Sequence, residues 1–183
     1  MRTFIAVDVQ TDTIAKLQNE IMMTAGWNSS DVKPVGHNNF HFTLIFLGEK
    51  SDSDVDNIKA NLAQVQFEPF TLTYTGVGGF PNLASARVVW VGVDQLGGQK
   101  LAALSKDVVT RMAELGFPED KPFSPHLTIF RAKGRPVQIN DISVRYQGRM
   151  FDSELVDKVH LKKSDLSPSG PIYSNIYTVE AKK

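Results

Sequence analysis

The hydrophobic positions of this chain follow two periods, and the switches between them mark its elements. Thr3 to Val9 is almost continuously apolar, which predicts a buried, central strand. Ile14, Leu17, Ile21 and Met22 then recur at helical spacing, so a helix capped by Thr11 or Asp12 is predicted to run to about Thr24. Ala25 to Ser30 reads as a loop with Trp27 as a partial core anchor, and Val32 to Val35 as a short strand broken by Pro34. A turn over Gly36 to Asn39 leads into a strand that stops at Gly48. Ser51, Asp52 or Ser53 caps a second helix carrying Val55, Ile58, Leu62 and Val65. Phe70 to Thr75 alternates as a strand, and Gly76, Gly78, Gly79 and Pro81 predict a tight loop after it. No Lys follows those glycines, so they do not match a phosphate-binding P-loop.

Arg87 to Val93 reads as a strand. A long helix follows from Gly97-Gly98 to Leu115, with Leu101, Leu104, Val108, Met112 and Leu115 in one stripe and Gly116 as its stop. Phe117 to Pro125 is a loop delivering another strand, and Arg131 to Arg135 turns out of it. Val137 to Tyr146 fits a short helix or irregular chain. Leu155 to Leu161 and Ile172 to Val179 read as strands, with a turn over Ser167 to Pro171. This order predicts an α+β fold of antiparallel sheets with outer helices, forming a single bilobal domain over residues 1–183.

One short pattern occurs twice, each time after a helix. Phe40-His41-Phe42-Thr43-Leu44-Ile45-Phe46 and Pro125-His126-Leu127-Thr128-Ile129-Phe130 both read His-x-Thr-aliphatic in an apolar run. Side chains two apart on a strand share a face, so each copy sets a His beside a Thr. Phe42, Leu44, Leu127 and Ile129 face the other way, and Phe40 and Phe46 share the core-facing parity of Phe42. The repetition predicts two similar lobes related by an approximate two-fold axis, with the His-Thr pairs facing across a groove.

Two facing imidazoles suit in-line attack at phosphorus. Histidine titrates near working pH, so a neutral one takes a proton from the nucleophile and a charged one gives a proton to the leaving oxygen. The two Thr hydroxyls can donate to the non-bridging phosphate oxygens as charge builds there. In isolation, a His in an apolar strand reads as a satisfied core or edge residue; the matched second copy favours the catalytic reading. His41 and His126 lack Asp, Glu or Cys at ligand spacing, so no metal and no other cofactor is expected. His37 sits in a turn and reads as a surface residue. His160 has Lys162 rather than Thr at the second following position and is not a third copy. The Lys162-Lys163 pair either adds charge near the groove or keeps an edge strand soluble.

Charge and composition narrow the partners. The 183 residues hold 20 basic and 20 acidic side chains and no cysteine, with 42% hydrophobic. Zero net charge argues against wrapping long duplexes and predicts that few phosphates are held beyond the reacting one. Disulfides, thiolate metal sites and cysteine nucleophiles are excluded. The apolar run at the N-terminus is interrupted at Asp8 and is too short for a signal core or a membrane span, so a cytoplasmic, non-membrane protein is expected.

These motifs resemble the 2H phosphoesterases, and within them the bacterial and archaeal RNA 2′,3′-cyclic phosphodiesterases, also called 2′-5′ RNA ligases. The resemblance rests on Arg2-Thr3-Phe4-Ile5-Ala6-Val7-Asp8, on Asn39 to Gly48, on Phe123 to Arg131, and on Leu161 to Leu166 with Gly170-Pro171-Ile172-Tyr173. It implies a bilobal α+β fold and metal-independent opening of RNA 2′,3′-cyclic phosphate ends to 2′-phosphomonoesters. It also implies joining of such ends to a 5′-hydroxyl in some members. His41 with Thr43 and His126 with Thr128 would be the half-sites, with His126 as base and His41 as acid. Arg131 matches a family arginine that would contact phosphate, and Lys133 and Arg135 would extend the positive rim. The expected partner is RNA with a cyclic phosphate end, tRNA fragments among them, acted on by a monomer. An RNA-end binding module without catalysis and a phosphodiesterase for small cyclic nucleotide phosphates are the competing readings.

Overall fold

The computed structural model describes residues 1–119 and 121–183. In chain order the elements are β1 (Arg2–Asp8), α1 (Thr13–Ala25), β2 (Val32–Pro34), β3 (His41–Glu49), α2 (Asp52–Leu62), β4 (Phe70–Phe80), β5 (Val88–Val93), α3 (Gln95–Glu114), β6 (Leu127–Ala132), α4 (Asn140–Tyr146), β7 (Met150–Val156), β8 (Lys158–Ser167) and β9 (Gly170–Glu180). Position 120, within the predicted loop 117–125, lies outside the described residues. The strands form two antiparallel sheets, one in the order β3-β1-β8-β9 and the other β2-β6-β5-β4-β7. This is the predicted bilobal α+β architecture. β1 is flanked on both sides and buries Thr3 to Val7 in an unbroken run, as its apolar character requires.

Two helices each reach the His-Thr strand of the other half. α1 precedes the first His-Thr strand but packs behind the second: its buried Gln18 amide donates to the Ile129 carbonyl at 2.7 Å. α3 precedes the second His-Thr strand, yet its buried Ser105 hydroxyl donates to the Leu44 carbonyl of the first at 3.2 Å. Both carbonyls belong to β-bulges. Ala6 pairs with Thr43 and Ile5 with Ile45, which leaves Leu44 extra; Trp90 pairs with Thr128 and Val89 with Phe130, which leaves Ile129 extra. A bulged residue drops out of the ladder with its partner strand, and a buried carbonyl left without any partner costs about 1–3 kcal/mol; the Ile129 carbonyl also accepts from the Val35 amide at 2.9 Å. Each helix therefore supplies one buried polar side chain to the opposite motif's bulge.

The bulges correct one sequence expectation. Strand alternation gives Phe46 the core-facing parity of Phe42, but Phe46 is 63% exposed, while Phe42, Leu44 and Ile45 are all buried. One inserted residue reverses the alternation beyond it. Phe40, on the near side of the bulge, is buried as expected.

Two further segments differ from the sequence reading. The glycines after Thr75 do not end the strand: β4 continues to Phe80, paired with β5 through Gly78↔Trp90 and Gly79↔Val89. Gly78 is required there, since a Cβ would sit 2.3 Å from the Trp90 ring, so glycine here marks a close approach rather than a turn. Leu155 to Leu161 is not one strand. It splits at Asp157 into the end of β7, an edge of the second sheet, and the start of β8, inside the first. Lys162 therefore lies on an interior strand, buried, with its ammonium on both Asp8 oxygens at 2.7 and 2.9 Å and on the Asn175 amide oxygen at 2.6 Å. It solubilises no edge.

The ambiguous segment from Val137 contains the short helix α4. Of the three candidate caps for α2, Ser51 is the one used. Its hydroxyl accepts from the Asp54 amide while the Asp54 carboxylate accepts from the Ser51 amide, a reciprocal capping box. At α1 the cap position is Asp12, with no side-chain bond to the helix; Thr11 accepts from the Thr13 amide and turns its hydroxyl to Asp152. Trp27 is half-buried, edge-on to Phe130 at 5.4 Å.

Candidate active site

A groove of about 1230 Å³ runs between the sheets, and His41, Thr43, His126, Thr128 and Arg131 all line it. The two histidines are held by the same local device. His41 Nδ1 lies 2.7 Å from the Asn39 carbonyl, and His126 Nδ1 lies 2.7 Å from the Ser124 carbonyl. A carbonyl only accepts, so Nδ1 carries the hydrogen in both rings and Nε2 is the atom free for chemistry. The carbonyl two residues upstream thus fixes tautomer and ring direction together.

The surroundings of the two rings differ. His41 packs between Phe4 (centroids 5.1 Å) and Tyr173 (5.3 Å, edge-on), and its Nε2 lies 2.9 Å from the Thr43 hydroxyl. His126 meets the edge of Phe80 at 4.9 Å, and its Nε2 makes no hydrogen bond to the described residues. Both proton affinities are depressed below the ordinary value, in both cases mainly by burial. The upstream carbonyls partly oppose this. The Arg131 guanidinium, on the same groove, lowers both slightly further. Behind His41, Lys162 lowers and Asp8 raises its proton affinity.

Arg131 reaches the groove because of the bulge at Ile129, just as Phe46 reaches it because of the bulge at Leu44. The groove wall also carries Lys33, His37 and Lys121, with Glu119 the one carboxylate among the described lining residues. A chain of zero net charge therefore gathers local positive charge at this groove. Among the described residues, no three His, Asp or Glu side chains converge as a metal-ligand set.

Residues 7–163 match the model of the 2′-5′ RNA ligase superfamily. The RNA 2′,3′-cyclic phosphodiesterase of Archaeoglobus fulgidus is 39% identical over 180 residues, spanning 98% of this chain and 100% of that one. That of Aeropyrum pernix is 36% identical over 173 residues, 92% of this chain and 94% of the other. The chain belongs to the RNA 2′,3′-cyclic phosphodiesterase family of 2H phosphoesterases. Its fold agrees with that of TT0787 from Thermus thermophilus, with a TM-score of 0.77 at 26% identity over 98% of this chain and 97% of that one. It agrees equally with Escherichia coli LigT complexed with 3′-AMP, with a TM-score of 0.77 at 25% identity over 100% and 98% of the two chains.

Within this phosphodiesterase frame, two sequence candidates stand apart from the groove. Lys133 donates to the Ser29 carbonyl at 2.7 Å, and neither it nor Arg135 lines the groove. The strand ends at Ala132, so these side chains leave with the turn. His37 is exposed, as expected, and also lines the groove. His160 is buried beside Thr178 and Asp8, away from the groove lining. Sequence reasoning missed Phe80, Tyr173 and Lys33 as groove residues. Phe80 is masked by glycines that read as a turn. Tyr173 stands in the sequence only as part of an end signature, and Lys33 only as part of a short strand.

Proposed function

We infer that the protein hydrolyses RNA 2′,3′-cyclic phosphate ends to 2′-phosphomonoesters by two-histidine acid-base catalysis. The observation that carries this is the matched pair of imidazoles in one groove, each with Nδ1 tied back and Nε2 available. The cyclic phosphate lies between them. His126 Nε2, free of protein partners among the described residues, takes a proton from water as the water oxygen attacks phosphorus. The P–O3′ bond breaks, and protonated His41 delivers its Nε2 proton to O3′. The product keeps the phosphate on O2′, and solvent returns the two rings to their starting states.

Thr43 has two states in this scheme. With His41 neutral, its hydroxyl donates to Nε2 at 2.9 Å. Once His41 is protonated, Nε2 no longer accepts, and the hydroxyl turns to a non-bridging phosphate oxygen. Thr128 donates to the phosphate from the opposite lobe, and Arg131 offers planar paired donors to the same group. A bound phosphate anion counters the burial and cation effects that depress both rings, so substrate itself favours the protonated acid. The exposed ring of Phe46 on the groove wall supplies a stacking face for the terminal base. All these groups come from one chain, which supports a monomer as the working unit. Cleaved tRNA fragments with cyclic ends are suitable substrates in this reading.

The test uses an RNA ending in 2′,3′-cyclic phosphate, incubated with the protein in EDTA, with products resolved chromatographically. A 2′-phosphate end is expected. No product, or a 3′-phosphate end, overturns the reading.

A further inference from the structure

Lys33 has no place in the chemistry just described, yet its surroundings are unusual. It lies on β2 directly opposite Arg131 on β6 in the antiparallel register. Both side chains are exposed, and both line the groove. Like charges directly opposite on a sheet destabilise it, their Cβ atoms being only about 5 Å apart. Neither cation has a carboxylate within ion-pair distance among the described residues, although Lys59, Arg111, Lys162 and Lys163 all do. The lobes also approach one another at this point: the Lys33 ammonium lies 3.4 Å from where a Cβ on Gly170 would stand, at the start of β9 in the other sheet. The same strand end is joined to the first motif by the Asn39 side-chain amide, which donates to the Pro171 carbonyl at 2.9 Å. Among the described residues Lys33 is thus a cation without an ion-pair partner, one strand beyond the reacting centre and at a narrow part of the groove.

We propose that Lys33 is the binding site for the internucleotide phosphate on the 5′ side of the terminal nucleoside, so that the enzyme distinguishes a polynucleotide end from a free nucleoside 2′,3′-cyclic phosphate. This rests on the hydrolytic reading above. With the cyclic phosphate between His41, His126 and Arg131, the terminal ribose leads away from that centre. The next anion along the strand then meets the next cation along the groove. Lys suits this position as a flexible point charge that follows a phosphate whose placement varies with the base, whereas Arg131 serves the fixed reacting group. It also agrees with zero net charge: the groove offers a second phosphate contact without a broad basic surface.

The experiment compares three substrates: a dinucleotide with a 2′,3′-cyclic phosphate end, the same molecule with a neutral methylphosphonate linkage, and the nucleoside 2′,3′-cyclic phosphate alone. The wild-type kcat/KM is expected to favour the charged dinucleotide over the neutral one by about fivefold, the scale of a solvent-exposed ion contact. Lys33→Met abolishes that preference, Lys33→Arg retains most of it, and Lys106→Ala, on the exposed face of α3, leaves it unchanged. Equal turnover of both dinucleotides by the wild type overturns the proposal. So does a Lys33→Met variant that loses the same factor on all three substrates, since that marks a general effect on Arg131 or the fold. If the wild type hydrolyses none of the three, the hydrolytic reading fails and this site falls with it.

Discussion

The two half-sites share a backbone plan and differ in what they carry on it. In each, a histidine is anchored by the carbonyl two residues earlier, a threonine follows two residues later, and a bulge then turns the fifth following residue into the groove. In the first half-site that residue is Phe46; in the second it is Arg131. The first histidine is enclosed by Phe4 and Tyr173, backed by the Asp8–Lys162 pair, and touched by its threonine. Among the described residues the second has one aromatic neighbour, Phe80, and an Nε2 without a hydrogen-bond partner. Matching backbones bring the two imidazoles to one phosphate. The differing side chains separate an apolar wall for a base from a cationic wall for an anion, and a held acid from an open base.

The largest effects should come from the shared part. His41→Ala and His126→Ala are each expected to lower kcat by about 10²–10⁴-fold, with substrate still bound, as read by single-turnover kinetics and filter binding. If one variant keeps near-normal turnover, the two half-sites do not act as an acid-base pair.

The threonines come next and already test the asymmetry. Thr43→Val and Thr128→Val should each cost about 10²-fold in kcat through loss of a donor to the developing charge. Only Thr43→Val also removes a hydrogen bond to a histidine, so it alone should shift the His41 titration followed by NMR. An equal shift at His126 in Thr128→Val would make the half-sites more alike than the structure shows.

The smallest and most discriminating pair is Arg131 against Phe46. Burial and Arg131 hold both imidazoles below the ordinary value of 6.5 in the free enzyme, so the bell-shaped kcat/KM profile should centre below pH 6.5. Arg131 is a cation that disfavours protonation of both rings. Its removal in Arg131→Gln raises both values and moves the bell to higher pH, together with a KM rise of about tenfold. Phe46→Ala should raise KM by about fivefold through lost stacking, with no movement of the bell. A pH shift in Phe46→Ala, or none in Arg131→Gln, would undo the division of labour between the walls.

Much of this was legible because it depends on local pattern. The His-x-Thr parity, the continuous burial of β1, the stripes of α1 and α3 and the start of α2 within its three candidate caps follow from period and cap chemistry. Glycine was ambiguous for a physical reason. It permits both a turn and a close approach, and only the Trp90 ring over Gly78 distinguishes them. The break at Asp157 was equally hidden, since the alternation of Leu155 to Leu161 carries no mark of a change of sheet.

The sequence by itself determined the chemistry: two His-Thr pairs on strand faces, no cysteine, and motifs sufficient to place the chain in its family. Tertiary structure alone decided what surrounds that chemistry. Strand parity is a local property only while the ladder is unbroken, and the two bulges are set by the partner strands and by Gln18 and Ser105 from helices that reach across from the other half. Those bulges bring Phe46 and Arg131 into the groove. The pairing of β2 with β6 sets Lys33 beside Arg131, and the pairing of β1 with β8 buries Lys162 against Asp8. None of these placements is written in the spacing of the residues concerned, because each depends on segments distant in the chain.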